Sequence, residues 1–466
     1  MTRRLAIYVA VLAILVVYLL IWPVWRAQFL IEIWPTEAWN AYFQDAAAAG
    51  RQLYPPIDQL IGNNYPPLSF YAIGYLGHLF GDNLFVGRAI SILALLCLSL
   101  EIFLAVRILA GGITGAAVGA LWYAAMTAHS SELYVGTNDP QLAGEAIMGA
   151  ALVWFLARDR DGKSATAPLL LMVVAGFWKH NIIAIPLTAV AWLLLRDAKR
   201  AARPILVSAA AAVGGLLVCT AIYGRAFPDN LFATREYALA HVIGHIGHLQ
   251  WSALALLIWG SWAWSARNSA AARFTLLHVG IGLSACILQW FGHGVGRNAE
   301  FDLVIALGIG IGVAFERIET SLLAMRIGVD RSRDLLLALL VLRLVVSDRQ
   351  GSALVLSSPE FRATVQAAER AVHDDARKVA DIPGDVFCSN KVVCRVAGKP
   401  FVVDEFKMEE LIATGKATEA DISAWLRDRH IAVFESGRHT TMNAVDTSLS
   451  RAWRGQKPAI PVSSPR

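Results

Sequence analysis

The chain has 466 residues, 56% of them hydrophobic and 17% charged, with a formal net charge of +5. A soluble protein of this size cannot hide so much apolar surface, so the composition calls for a bilayer as solvent. The cations fall in short runs between apolar segments rather than in one patch, which argues against nucleic acid as a partner. No Walker A loop, His-Glu-x-x-His, Gly-x-Ser-x-Gly or Cys-x-x-Cys pattern occurs, which removes the commonest ATPase, zinc-protease, hydrolase and thiol-redox readings.

The first apolar segment, Leu5 to Trp25, follows Met1-Thr2-Arg3-Arg4 and has the length of a membrane span. It ends in Trp22-Pro23-Val24-Trp25-Arg26, an interfacial aromatic end rather than a small-residue cleavage site. The expectation is a retained anchor with a cytoplasmic N-terminus. Further apolar stretches follow at 86–109, 113–130, 141–157, 167–178, 183–195, 204–223, 251–266, 274–292, 303–316 and 334–347, making eleven in all. Those at 167–178, 183–195 and 334–347 are the least secure, because short spans need protein or a cavity around them.

Charge alternation tests the count. Cytoplasmic connections would carry Arg107; Arg158, Arg160 and Lys163; Arg196, Lys199, Arg200 and Arg203; Arg267 and Arg273; then Arg317, Arg326, Arg331 and Arg333. The outer connections would be 26–85, 131–140, 179–182, 224–250 and 293–302. This parity puts everything after about residue 348 outside.

Residues 348–455 change character. Ser358-Pro359-Glu360 is a helix start, with a capping Ser and Pro at the first helical position. An amphipathic stretch runs from there to Ala380, and further helical stretches lie near 406–414 and 418–428. Val386-Phe387-Cys388, Phe401-Val402-Val403 and Ile431-Ala432-Val433-Phe434 have the composition of short strands. Cys388 and Cys394 would close a small disulfide loop if this part is exported, or are two unrelated thiols. Cys97, Cys219 and Cys286 are expected as small core residues. The tail 456–466, rich in Pro and Ser, is expected to be disordered. The fold class is therefore a polytopic α-helical membrane protein with about 11 transmembrane helices (residues 1–347) and a small α/β C-terminal extracytoplasmic domain.

The polar residues that could carry chemistry gather in the connections of one parity. The first, 26–85, contains Trp34-Pro35-Thr36-Glu37-Ala38-Trp39-Asn40-Ala41-Tyr42, then Gly50-Arg51-Gln52-Leu53-Tyr54-Pro55-Pro56, then Asn63-Asn64-Tyr65-Pro66-Pro67. Glu37 is a carboxylate just outside the first span, among Trp34, Trp39 and Tyr42, whose faces suit sugar rings; a solvated charge is the plainer alternative. The second, Tyr134-Val135-Gly136-Thr137-Asn138-Asp139-Pro140, offers Asp139, which is also an ordinary helix-start signal. The third, Trp178-Lys179-His180-Asn181, places a lysine between apolar runs, where an ionisable group is costly unless functional or snorkelling. The fourth is His293-Gly294-Val295-Gly296-Arg297-Asn298, in which Arg297 could grip a phosphate with two prongs. Arg88 opens the second span. His241, His245 and His248 share one helical face by spacing and are weak candidates for a divalent metal; a polar helix face is the commoner alternative.

Taken together, 34–71 and 134–142 resemble the outer loops of GT-C class glycosyltransferases that use polyprenyl-phosphate sugars, the relatives of protein O-mannosyltransferases and aminoarabinose transferases. The resemblance implies an inner-membrane enzyme that transfers a monosaccharide, with inversion, on the non-cytoplasmic face. The acceptor would be a lipid, a glycan or a protein. Glu37 or Asp139 would be the catalytic base, and Lys179, Arg297 and Arg88 would bind the donor phosphate. Trp34, Trp39, Tyr42, Asn63, Asn64, Tyr65, His293 and Asn298 would line the substrate. GT-C relatives often carry an Asp or an Asp-Glu pair where this chain has only Glu37, with Glu32 and Asp45 as weaker stand-ins, so a metal requirement stays open. The rivals are a transporter or flippase of lipid-linked sugars, which needs polar groups spread through the bilayer depth, and a lipid-linked glycan ligase.

Overall fold

The computed structural model describes residues 3–233, 235–346, 353–437 and 441–442. Helix α1 (Arg3–Arg26) leads to two short helices, α2 (Thr36–Ala48) and α3 (Leu68–Phe80). The apolar series continues with α4 (Asn83–Ala110), α5 (Ile113–Ser130), α6 (Gln141–Arg160), α7 (Thr166–Trp178) and α8 (Ala184–Tyr223). After α9 (Ala226–Leu231) and α10 (Leu239–His245) come α11 (Gln250–Ser265), α12 (Ala270–Gln289), α13 (Phe301–Glu316), α14 (Leu322–Ile327) and α15 (Val329–Val345).

Each apolar stretch of the sequence centres on one of these helices. Stretches 183–195 and 204–223 share α8, which is 40 residues long and leaves helical geometry at Asp197 (φ −162°, ψ 93°). Among the described residues, six helical segments are long and apolar enough to cross a membrane: Arg3–Arg26, Asn83–Ala110, Ala184–Tyr223, Leu239–Ser265, Ala270–Gln289 and Arg297–Glu316. Leu68–Phe80 and Thr166–Trp178 are apolar but shorter.

The bundle centres on α13, where every residue from Phe301 to Phe315 is buried. Small residues make that possible. Gly115 and Gly119 of α5 face the backbone carbonyls of Gly312 and Gly308 of α13, and a Cβ at either would run into them. Without water to drive apolar surfaces together, close backbone approach of this kind is what joins helices in a bilayer.

The C-terminal part packs over the connection between α1 and α4. α16 (Pro359–Ala380) begins as expected, with the Ser358 side chain accepting from Phe361 N at 3.2 Å and Pro359 in the first turn. It buries Phe361, Val365, Ala368, Val372, Ala376 and Val379, one helical face. Strands β1 (Val386–Cys388) and β2 (Ala432–Phe434) pair in parallel, with Val386 opposite Ala432. Between them lie α17 (Lys391–Val396), α18 (Glu405–Ala413) and α19 (Glu419–Asp428). Cys388 and Cys394 form a disulfide. Phe401-Val402-Val403, expected as a strand, is not one. Phe401 stacks on Tyr42 of α2 at 5.1 Å, and Asp404 N donates to Leu60 O at 2.9 Å, so this segment bonds to the loop before α3 instead of a neighbouring strand. The expected tail, 456–466, lies outside the described residues.

Polar contacts fix this packing. Arg395 of α17 reaches Asp45 at 2.8 Å, Asp82 at 2.9 Å and Asn83 at 2.8 Å, while Lys407 donates to the carbonyls of Ile57 and Ile61 at 2.9 Å each. The α5–α13 contact yields a stability prediction. Gly119→Ala should cost about 1–3 kcal/mol through overpacking and lower the melting temperature in detergent. Gly176→Ala, whose Cβ meets nothing within 4 Å, should leave it unchanged or slightly raised.

Candidate active site

The site is built on an ion pair. Glu37, in the first turn of α2, and Arg88, in the first turns of α4, are both fully buried. Arg88 Nε donates to Glu37 Oε1 and Nη2 to Oε2, each at 2.8 Å. Ile33 N and Asn138 N complete the carboxylate at 2.9 Å each. Arg88 also donates to the carbonyls of Phe29 (2.6 Å), Ile31 (2.8 Å) and Ala27 (3.3 Å). A carboxylate offers about four acceptor positions, and here four donors occupy them. Glu37 has no lone pair left for an acceptor proton, and Arg88, expected on the donor phosphate, has its guanidinium committed to protein oxygens.

The pair holds the 136–140 turn. Besides the Glu37 contact, Asn138 exchanges amide hydrogen bonds with Gln44 of α2 at 2.9 Å, and its carbonyl accepts from Asn40 Nδ2 at 3.0 Å. Gly87 lies against the Asn138 side chain, with no room for a Cβ. Arg26 donates to the carbonyls of Glu132 and Val135 below. The turn thereby presents Asp139, which is 7% exposed. Its Oδ1 accepts from Gln141 N at 2.8 Å and lies 3.8 Å from Lys179 Nζ.

Lys179 caps α7 with extended backbone and is 2% exposed. Its ammonium sits 3.5 Å from the centre of the Tyr65 ring, a cation–π contact. Burial pulls Lys179 down to about 8, against the opposing pull of Asp139. Tyr65 meets Trp39 edge to face at 4.9 Å, and Trp39 Nε1 donates to Asp404 Oδ2 at 3.1 Å, so the C-terminal part adds a carboxylate to this wall. Burial pushes Asp404 up to about 6, with Lys391 pulling the other way.

Arg235, in the connection after α9, is close enough to Lys179 and Tyr65 to act on both electrostatically. Arg235 is not among the residues expected from the sequence. Its signal was a cation in a connection that charge alternation assigned to the outer face, where cations are scarce. Tyr134 stands between this cluster and the 293–302 turn: it interacts with Asp139 and Tyr65, and its hydroxyl donates to Asn298 Oδ1 at 3.2 Å. Arg297, next to Asn298, has a buried Nη1 with no partner among the described residues.

The other expected substrate residues divide. Trp34, Asn64 and Tyr65 are half-buried. Asn63 is buried and structural, donating through Nδ2 to Leu53 O and accepting from Tyr65 N. Tyr42 donates to Lys399 O at 3.1 Å, and His293 Nδ1 pairs with Glu410 Oε1 at 2.8 Å. The three weak metal candidates do not gather into a metal site. His241, His245 and His248 direct Nδ1 to Phe291 O, His241 O and Glu300 Oε1, and among the described residues no group of three or more His, Cys, Asp or Glu could hold a metal ion.

No family model and no curated protein matches the sequence. The fold is nonetheless found in solved structures. ArnT from Cupriavidus metallidurans bound to undecaprenyl phosphate superposes with a TM-score of 0.56 and 16% identity, covering 92% of this chain and 89% of that one. Its apo form gives 0.57 and 16%, covering 96% and 94%. The apo oligosaccharyltransferase from Archaeoglobus fulgidus gives 0.51 and 12%, covering 86% of this chain and 65% of that one. Both proteins are GT-C glycosyltransferases. This chain has the GT-C fold. The resemblance of the 34–71 and 134–142 segments therefore rests on a shared architecture extending over nearly the whole chain.

Because Glu37 and Arg88 neutralise each other in the interior, removing one charge strands the other. Glu37→Gln should cost about 3–5 kcal/mol and reduce the folded yield. A Glu37→Gln, Arg88→Met double variant should recover part of that loss. Melting curves of the three proteins in detergent check this.

Proposed function

We propose that the chain is an integral membrane glycosyltransferase that moves a monosaccharide from a polyprenyl-phosphate donor to a lipid, glycan or protein acceptor on the non-cytoplasmic face, with inversion. The observation that carries this reading is the buried apposition of Asp139 and Lys179 at 3.8 Å, with Arg235 close enough to act on Lys179. The fold supports it, since ArnT has been solved with undecaprenyl phosphate. The reading includes eleven spans, a cytoplasmic N-terminus and an extracytoplasmic domain over 348–455.

Asp139 is the base in this scheme. It takes the proton of the acceptor hydroxyl while the acceptor oxygen bonds to the anomeric carbon. The bond from that carbon to the phosphate oxygen breaks, and its electron pair leaves on the polyprenyl phosphate. Lys179, Arg235 and Arg297 stabilise the phosphate as its charge grows. Tyr65, Trp34 and Asn64 would face the sugar. Glu37 and Arg88 act by holding the turn that aims Asp139. No metal is needed to balance this step.

A transporter of lipid-linked sugars fits less well, because Asp139, Lys179 and Arg235 gather in connections at one end of the bundle. A lipid-linked glycan ligase would share the phosphate site. Mass comparison of envelope glycans and lipids between wild type and a deletion strain separates the three. Loss of one monosaccharide from one acceptor supports the proposal. An unaltered acceptor with accumulated lipid-linked donor points to transport, and loss of a whole glycan block points to a ligase.

The Lys179 ammonium gives the free enzyme a pH signature. Its charge is present below about 8 and is lost as pH rises through that value. The kcat/KM for donor should therefore fall on the alkaline side with an apparent pKa near 8. Lys179→Arg should move that limb beyond the measurable range, and a wild-type profile flat to pH 10 would remove Lys179 from the phosphate site.

A further inference from the structure

The connections that carry the cations form a small ribbon. Tyr237 bridges Gly292 in antiparallel fashion, Ala238 N donates to Phe291 O at 2.9 Å, and His293 N donates to Glu236 O at 2.9 Å. Arg235 begins one side of this ribbon, and Arg297 follows the other by four residues. Neither side belongs to a helix, so little in the bundle itself fixes where Arg235 points.

One helix of the C-terminal part grips both sides. Glu410 of α18 is 7% exposed; its Oε1 pairs with His293 Nδ1 at 2.8 Å and its Oε2 accepts from Glu236 N at 2.9 Å. Arg235 Nε lies 4.0 Å from Oε1. One turn earlier, on the same face, Phe406 stacks flat on His293 at 6.0 Å and carries the Arg235 guanidinium 5.2 Å over its ring. Gly294, at φ +67°, passes so close to Phe406 that a Cβ there would collide with the ring. Two side chains, four residues apart, thus touch four residues of two distant connections, Arg235, Glu236, His293 and Gly294.

We propose that Glu410 and Phe406 are positioning residues of the donor site: they clasp the 235–238 and 291–294 ribbon so that Arg235 is held beside Lys179 before a phosphate arrives. This rests on the reading of that cluster as a lipid-phosphate site. A clasp set in advance spares the ligand the cost of ordering the loops. Glu410 acts through Arg235, not on the ligand. Its loss should therefore weaken phosphate binding and raise the KM for donor, and should also lower kcat, because a displaced Arg235 stabilises the leaving phosphate less well.

The probe is undecaprenyl phosphate titrated onto the full-length protein in nanodiscs, followed by tryptophan fluorescence. Glu410→Ala and Phe406→Ala should each bind about tenfold more weakly than wild type. Glu410→Gln, which keeps an oxygen for Glu236 N but loses the charge, should fall between and serves if the alanine variant fails to fold. Arg235→Ala should also weaken binding, and adding Glu410→Ala or Glu410→Gln to it should weaken it no further, because both act through one contact. Additive losses, or a Glu410→Gln protein that binds like wild type, would overturn the clasp. A wild-type protein that binds no undecaprenyl phosphate would instead overturn the reading of the site itself, and the clasp with it.

Discussion

The Glu37–Arg88 pair is the constraint on which the rest of the site depends. It joins the end of α1, the start of α2, the start of α4 and the turn before α6 through one carboxylate and one guanidinium, both excluded from water. Burying two charges is costly, and the cost is met only when each lone pair and proton has a partner. Here the partners are backbone groups of two segments, 27–33 and the turn at Asn138, while α2 and α4 supply the two side chains, so the pair forms only when all four are in register. A buried pair of this kind is poor evidence for stability but good evidence for specificity of arrangement. What it specifies is the direction of Asp139.

Much of the architecture was legible because a bilayer leaves few choices. A chain in lipid must satisfy its backbone within helices, so apolar runs of sufficient length predict helices, and eleven runs fell on helices. That Asp139 and Lys179 lie in connections of the same parity was legible from charge alternation; that they pair was not. The partners of Glu37 were not legible. Its neighbours in sequence, Trp34, Trp39 and Tyr42, suggested a sugar site, but its partners Arg88 and Asn138 lie 51 and 101 residues away. The segment 401–403 failed as a strand for a similar reason, because strand composition reports a half-buried surface and Phe401 found that surface on Tyr42. The imidazoles at 241, 245 and 248 do lie close along the chain, but among the described residues no group of three or more His, Cys, Asp or Glu could hold a metal ion, so spacing alone made no metal site.

The C-terminal part is not an appendage. Trp39 depends on Asp404 for its indole partner, Asp45 and Asp82 depend on Arg395, and the ribbon that holds Arg235 depends on Glu410. The cation cluster is thus bordered on one side by helices of the bundle and on the other by α18 and its cap Asp404. A reaction that expels a phosphate gains from such enclosure, since cations and carboxylates act more strongly where water is scarce.

The account divides labour between two carboxylates: Glu37 builds and Asp139 reacts. Asp139→Asn tests that division most directly, because Asn keeps the size and the hydrogen bond from Gln141 N but cannot take a proton. Melting temperature and single-turnover transfer should be measured on the same preparation. The account predicts a melting temperature close to wild type and a transfer rate lower by about 100- to 10,000-fold. An Asp139→Asn protein that transfers at near-normal rate, or one that loses activity only because it no longer folds, would contradict it.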